Sequence, residues 1–156
     1  MTSRGSKLEA GSKKSNQSRF FLLVFLVFIL DRISKIAALH CLSGNGIPVV
    51  PGIFHLTPVQ NTGAAFGILR GEPKFLAGVS VAAVTAIFFF LRRRSLSWAL
   101  VIGGALGNLY DRLQYGYVID FLDFRVWPVF NFADAAICVG AAWIVLDFFN
   151  HASHSV

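Results

Sequence analysis

"FLAGVSVAAVTAIFFFLRRR", residues 75 to 94, decides what kind of protein this is. The run from Phe75 to Leu91 carries no charge and stops at Arg92, Arg93 and Arg94. An uncharged apolar helix of about twenty residues spans a bilayer core. Arginine clusters beside such helices stay in the cytoplasm. The stretch therefore reads as a membrane span whose C-terminal end lies inside.

The rest of the chain agrees. It is 55% hydrophobic and 14% charged over 156 residues, with 16 Phe, and its mean hydropathy is +0.63. That is greasier than a soluble domain, and the length suits one domain. The net charge of +6 is concentrated: residues 1–19 carry +4 and the arginine triplet +3, leaving −1 elsewhere. Such loop asymmetry follows the positive-inside rule and excludes a nucleic-acid-binding face. The tail "MTSRGSKLEAGSKKSNQS" is rich in Ser, Lys and Gly, and disorder is expected there. No short apolar segment followed by a small-residue cleavage site begins the chain, so no removable signal peptide is expected.

Three further apolar runs complete the set. Span one covers about 20–42 and is interrupted by Asp31, Arg32 and Lys35; span three covers 96–110; span four covers 132–149. With span two at 75–91, a membrane domain of residues 20–150 is expected between cytoplasmic tails at 1–19 and 151–156. Placing both basic clusters inside puts both termini in the cytoplasm and Asp120 and Asp134 at the outer face. The loop at 41–74 alternates Gly, Pro and Asn with "IPVV" and "IFHL", which predicts short strands on the outer surface. Residues 113–131 mix aromatics with Asp120, Asp123 and Arg125, and are expected to lie along the membrane interface with their rings facing lipid.

Ionisable groups inside a membrane are costly and demand a partner or a task. Gly104, Asn108 and Arg112 follow at i, i+4 and i+8 on one face of span three, with Gly103, Gly107 and Asp111 on the neighbouring stripe. The glycines invite close approach of another helix. Taken alone, the stripe is packing plus a helix-end ion pair. Cys41 and Cys138 make no disulfide framework, and Cys138 reads as a small core residue. His40, His55, His151 and His154 have no metal-ligand spacing, "RISK" has no oxyanion donors around its Ser and Lys, and the glycines form no phosphate loop. No metal or cofactor is expected.

Five segments change the reading. "LDRISK", "VQNTGAAFGIL", "GGALGNLYDR", "YVIDFLDF" and "FNFADAAICVG", in this order among four apolar runs, closely resemble the lipoprotein signal peptidase (signal peptidase II) family over about residues 30 to 149. The resemblance implies an all-α membrane protein, with four transmembrane helices, a small extracytoplasmic β cradle and a short interfacial helix. It implies a bacterial inner-membrane aspartic endopeptidase that removes the signal peptide from prolipoproteins before their diacylglyceryl-modified cysteine. Asp120 and Asp134 match the catalytic dyad. Asn61, Gly63, Phe66, Gly104, Asn108, Arg112 and Asn131 match positions lining the substrate groove, and Asp31, Lys35 and Asp111 match positions of structural support. Arg32 stands where many relatives have Gln, and His55 where many have Asn. Asp123 matches no firm family position, and Asp147 is expected to be solvated or paired with a basic residue. Lipid-modified precursors, membrane lipid and a globomycin-type inhibitor are the partners implied, with a monomer expected.

The chemistry fits two neighbouring carboxylates, which cannot both ionise cheaply and so share a proton. The rival reading is a non-enzymatic transporter, channel subunit or assembly factor using Asp31, Arg32, Lys35, Asp111 and Arg112 as intramembrane ion pairs. Against it, the ionisable groups gather towards one side of the membrane, and no internal repeat of the transporter kind is visible.

Overall fold

The computed structural model of the chain describes residues 3–42, 44, 46–63, 73–90 and 95–153. These form helices α1 (Ser3–Cys41), α2 (Pro73–Phe90), α3 (Leu96–Tyr115) and α4 (Phe132–Ser153), and strands β1 (Ile47–Val50), β2 (Phe54–Asn61) and β3 (Val118–Asp123). Phe66 and the arginine triplet lie outside the described residues.

The helices are held together by small residues rather than by a large core. A Cβ at Gly103 would come within 2.7 Å of Val27 on α1, and one at Gly104 within 2.5 Å of the Ala133 carbonyl on α4. A Cβ at Gly107 would strike the Asp31 carboxylate, and one at Gly140 would lie 2.6 Å from the Ser97 carbonyl. Glycines on α3 and α4 thus let α1 and α4 close tightly on α3. Large apolar side chains face outward instead: Phe25 is 59% exposed, Ile33 59%, Leu146 62% and Phe148 70%. Among the described residues, Phe132–Asn150 is long and apolar enough to cross a membrane, with a mean hydropathy of 1.8.

The three strands form an antiparallel sheet in the order β1-β2-β3. "IPVV" is a strand, as expected, and "IFHL" enters one at Phe54 after Ile53 ends the turn. The pairing of β2 with β3 slips by one residue between Leu56 and Val59, where Pro58 has no N–H for the ladder. Beyond the bulge, Val59 pairs with Asp120 and Asn61 with Val118. Residues on alternate positions share a face, so Asn61 lies on the face of Asp120, and Gln60 on the other.

Three expectations need correction. The tail before Phe20 is helical from Ser3: no proline interrupts it, and extending a helix already nucleated by its apolar part costs little. The helix expected over 96–110 continues to Tyr115, ending where Gly116 adopts φ 77° and its N–H bonds to the Arg112 carbonyl at 3.1 Å, an αL cap. Residues 113–131 do not form one continuous surface segment. Val118–Asp123 is a strand buried on both faces, and no helix forms between Gly116 and Asn131. Its β-branched and aromatic side chains pack between β2 and the helices. The rings do not all face lipid: Phe121 is buried, while Phe124 and Trp127 are exposed.

Candidate active site

Asp120 projects from β3 and Asp134 from the first turn of α4, and both line a cavity of about 1120 Å³. Asn61, Gly63, Asn108 and Arg112 line the same cavity. The chain returns to it after β3 through a tight turn. Arg125 adopts φ 64°, a conformation unusual outside Gly and Asn. Asp123 stabilises that turn, accepting the Arg125 backbone N–H at 2.8 Å and its guanidinium at 3.0 Å, with the Thr57 hydroxyl at 3.0 Å. The Arg125 N–H above all, helped by the guanidinium and the hydroxyl, holds the Asp123 carboxyl below the usual range against its desolvation. Phe130 then pairs with Leu122 through two backbone hydrogen bonds. That pairing sets Asn131 beside Asp120.

Asn131 is the N-terminal cap of α4. Its Oδ1 accepts the Asp134 N–H at 2.9 Å, and Asp134 Oδ2 accepts the Asn131 N–H at 3.3 Å, a reciprocal cap at the first turn. Its Nδ2 donates to Asp120 Oδ1 at 2.7 Å and to Asn108 Oδ1 at 3.1 Å. Asn61 donates to Asp120 Oδ2 at 2.9 Å, and Asn108 donates to Asp134 Oδ1 at 2.7 Å. Asn61 is held in turn by the Gly63 N–H, which donates to its Oδ1 at 3.0 Å.

Asp120 is 1% exposed. Burial pushes its carboxyl up to about 6, against the two asparagine donors that favour its anion. The nearby Asp134 charge adds to the rise. Asp134 sits where the N-terminal end of the α4 dipole favours negative charge. The arrangement suits one proton held between two carboxylates.

The residues expected in support lie directly beneath. Asp31, Lys35 and Asp111 are fully buried, and Lys35 Nζ lies 2.9 Å from Asp31 Oδ2 and 2.9 Å from Asp111 Oδ2. Arg32 pairs with Asp111 and stacks 4.4 Å over the Tyr110 ring. These charges are ion-paired with one another. Among the described residues that leaves Arg112 as the cavity's cation, acting on Asp134, Asp120 and Asp111. Gly104 packs against Ala133 and Ile137 and does not line the cavity.

Sequence reasoning missed several lining groups, among them Thr62, Trp127, Phe130 and Ile137. Cys138, expected as a core residue, is exposed and lines the cavity one turn after Asp134. The i, i+4 spacing from Asp134 could have found it. The spacing Asn131-x-x-Asp134 was likewise a capping signal.

The family model for signal peptidase (SPase) II matches residues 23–150. The lipoprotein signal peptidase of Halothermothrix orenii is 44% identical over 133 residues, covering 81% of this chain and 92% of its relative. That of Pelotomaculum thermopropionicum is 45% identical over 139 residues, covering 81% and 91%. Two solved structures of bacterial membrane enzymes share the fold. One has a TM-score of 0.80 at 28% identity over 89% of this chain and 92% of its own, the other 0.73 at 29% over 84% and 92%. Matched by the family model over most of its length and by such relatives over nearly all of theirs, this chain belongs to the signal peptidase II family.

Proposed function

We propose that this peptidase cleaves the signal peptide from prolipoproteins before a diacylglyceryl-modified cysteine, using Asp120 and Asp134 as an aspartic dyad. The observation that carries the reading is Asn131, whose one side chain and backbone N–H engage both carboxylates at the edge of a single cavity. Ionised Asp134 takes a proton from water, and the water oxygen bonds to the scissile carbonyl carbon. Protonated Asp120 gives its proton to the carbonyl oxygen, forming a neutral diol. The C–N bond then breaks as Asp134 returns its proton to the leaving nitrogen. Asp120 recovers a proton from the diol hydroxyl, leaving a carboxylic acid and an amine.

On this reading the chain crosses the bacterial cytoplasmic membrane four times, with the site at the outer face and both termini inside. The outward-facing apolar side chains and the basic clusters support that orientation. Asn61, Gly63, Asn108 and Arg112 bind the peptide, as Phe66 does by its motif position, while the fully buried Asn131 acts through the dyad and Gly104 admits α4 closely. Acyl chains lie against the apolar wall of the cavity, each buried methylene contributing ~0.8 kcal/mol. A globomycin-type cyclic lipopeptide fits the same groove, and the enzyme acts as a monomer.

The test is cleavage of one precursor in lipidated and unlipidated forms by wild type and Asp120→Asn. Wild type should process the lipidated form much faster, and Asp120→Asn should process neither. Near wild-type turnover by Asp120→Asn overturns the aspartic mechanism, and equal rates on both precursors overturn lipid recognition.

A further inference from the structure

We propose that Lys35 is a positioning residue that sets the separation of the two dyad aspartates by clamping the carboxylates that hold their backbones. The two supports are alike. Asp31 Oδ1 accepts the backbone N–H of Ala133, the residue before Asp134, at 3.0 Å. Asp111 Oδ2 accepts the backbone N–H of Ile119, the residue before Asp120, at 3.1 Å. Lys35 Nζ joins them as an ion pair, 2.9 Å from each carboxylate, and donates a hydrogen bond to Asn108 Oδ1 at 2.9 Å. Asn108 in turn donates to Asp134.

One ammonium therefore meets three groups, pairing with two carboxylates and donating to one amide oxygen, and each of the three is one hydrogen bond from the dyad residues or their neighbours. The start of α4 and the strand β3 belong to separate elements, and Lys35 on α1 ties them at a common point. The arrangement is dry: Lys35, Asp31 and Asp111 have no exposed side-chain surface. At such a site ion pairs are strong but costly to assemble, and conformational specificity is their best-attested use. Lys35 does not line the cavity, so substrate meets its effect only through Asn108 and the dyad. The charged groups around it are Asp31 and Arg32 on α1, Asp111 and Arg112 on α3, Asp120 on β3 and Asp134 on α4. The positive charge also opposes the burial that raises the Asp120 carboxyl.

This inference rests on the dyad reading, so Asp120→Asn is run beside it: full activity there sinks that reading, whatever Lys35 does. The variants are Lys35→Met and the charge-balanced Asp31→Asn/Lys35→Met, in which the amide oxygen introduced at position 31 still accepts the Ala133 N–H. Both are purified in detergent and checked for cooperative unfolding. In whichever folds, kcat on lipidated precursor should fall about 100-fold, the scale of a small misplacement of reacting groups. KM should be unchanged, and the alkaline limb of the kcat profile should move to higher pH. A merely structural lysine would lower stability without confining the loss to kcat. A folded variant with wild-type kcat, or one whose loss lies in KM alone, overturns the proposal. Failure of both variants to fold assigns Lys35 to stability and overturns it also.

Discussion

The Nδ2 group of Asn131 donates to Asp120 Oδ1 at 2.7 Å while the same residue caps the helix that carries Asp134. One side chain thus performs two tasks that substitution can separate. Asn131→Ser keeps a good helix cap but loses the bridge to Asp120 and Asn108. Its melting temperature in detergent should stay near wild type while kcat falls by about 10- to 100-fold, as for other misaligned catalytic groups. Asn131→Ala loses both and should also be destabilised by about 1 kcal/mol. Equal kcat for wild type and Asn131→Ser would show that the bridge is idle.

On the proposed mechanism the two aspartates act as one unit. Asp120→Asn and Asp134→Asn each remove the shared proton, so the double variant should be scarcely slower than either single one. Asp123→Asn should retain substantial activity, because its carboxylate holds the Arg125 turn and does not line the cavity. Precursor conversion at matched expression measures all four. Additive losses in the double variant would count against a dyad.

Activity should depend on pH through Asp120. Its carboxyl is raised to about 6 by burial, so the catalytically useful proton is held below that pH and lost above it. The alkaline limb of the kcat profile should therefore bend down near that value, in the direction of deprotonation. A profile flat from acid through neutral pH excludes Asp120 as the proton donor.

The orientation can be read by thiol labelling. In a background lacking Cys41 and Cys138, single cysteines introduced near Gly46 and Gln114 should react with an impermeant reagent added to intact cells. One replacing Ser95 should remain unlabelled. The opposite pattern reverses the topology.

Much of the fold was legible because apolar runs and glycine spacing are local signals. The helices begin or end near the charges and small residues that bound them, as at Ser95 before α3. "IPVV" and "IFHL" announced strands by their turn residues. The strand β3 was not legible: "VIDFLD" is buried on both faces, so it lacks the polar and apolar alternation that marks a half-buried strand.

What the residues determined by themselves was the greasy, basic-ended frame and, through motif resemblance, which two aspartates to suspect. Their meeting was decided only by tertiary structure. Asp120 and Asp134 sit on separate elements, joined because Phe130 pairs back onto Leu122 and Asn131 starts α4 there. Asn61 rather than Gln60 reaches Asp120 because the ladder slips at Pro58, and a one-residue slip exchanges the faces of a strand. The common anchor at Lys35 is likewise a fact of three-dimensional convergence. An ammonium on α1 meets carboxylates from α1 and α3 only after the glycines of α3 have let the helices close.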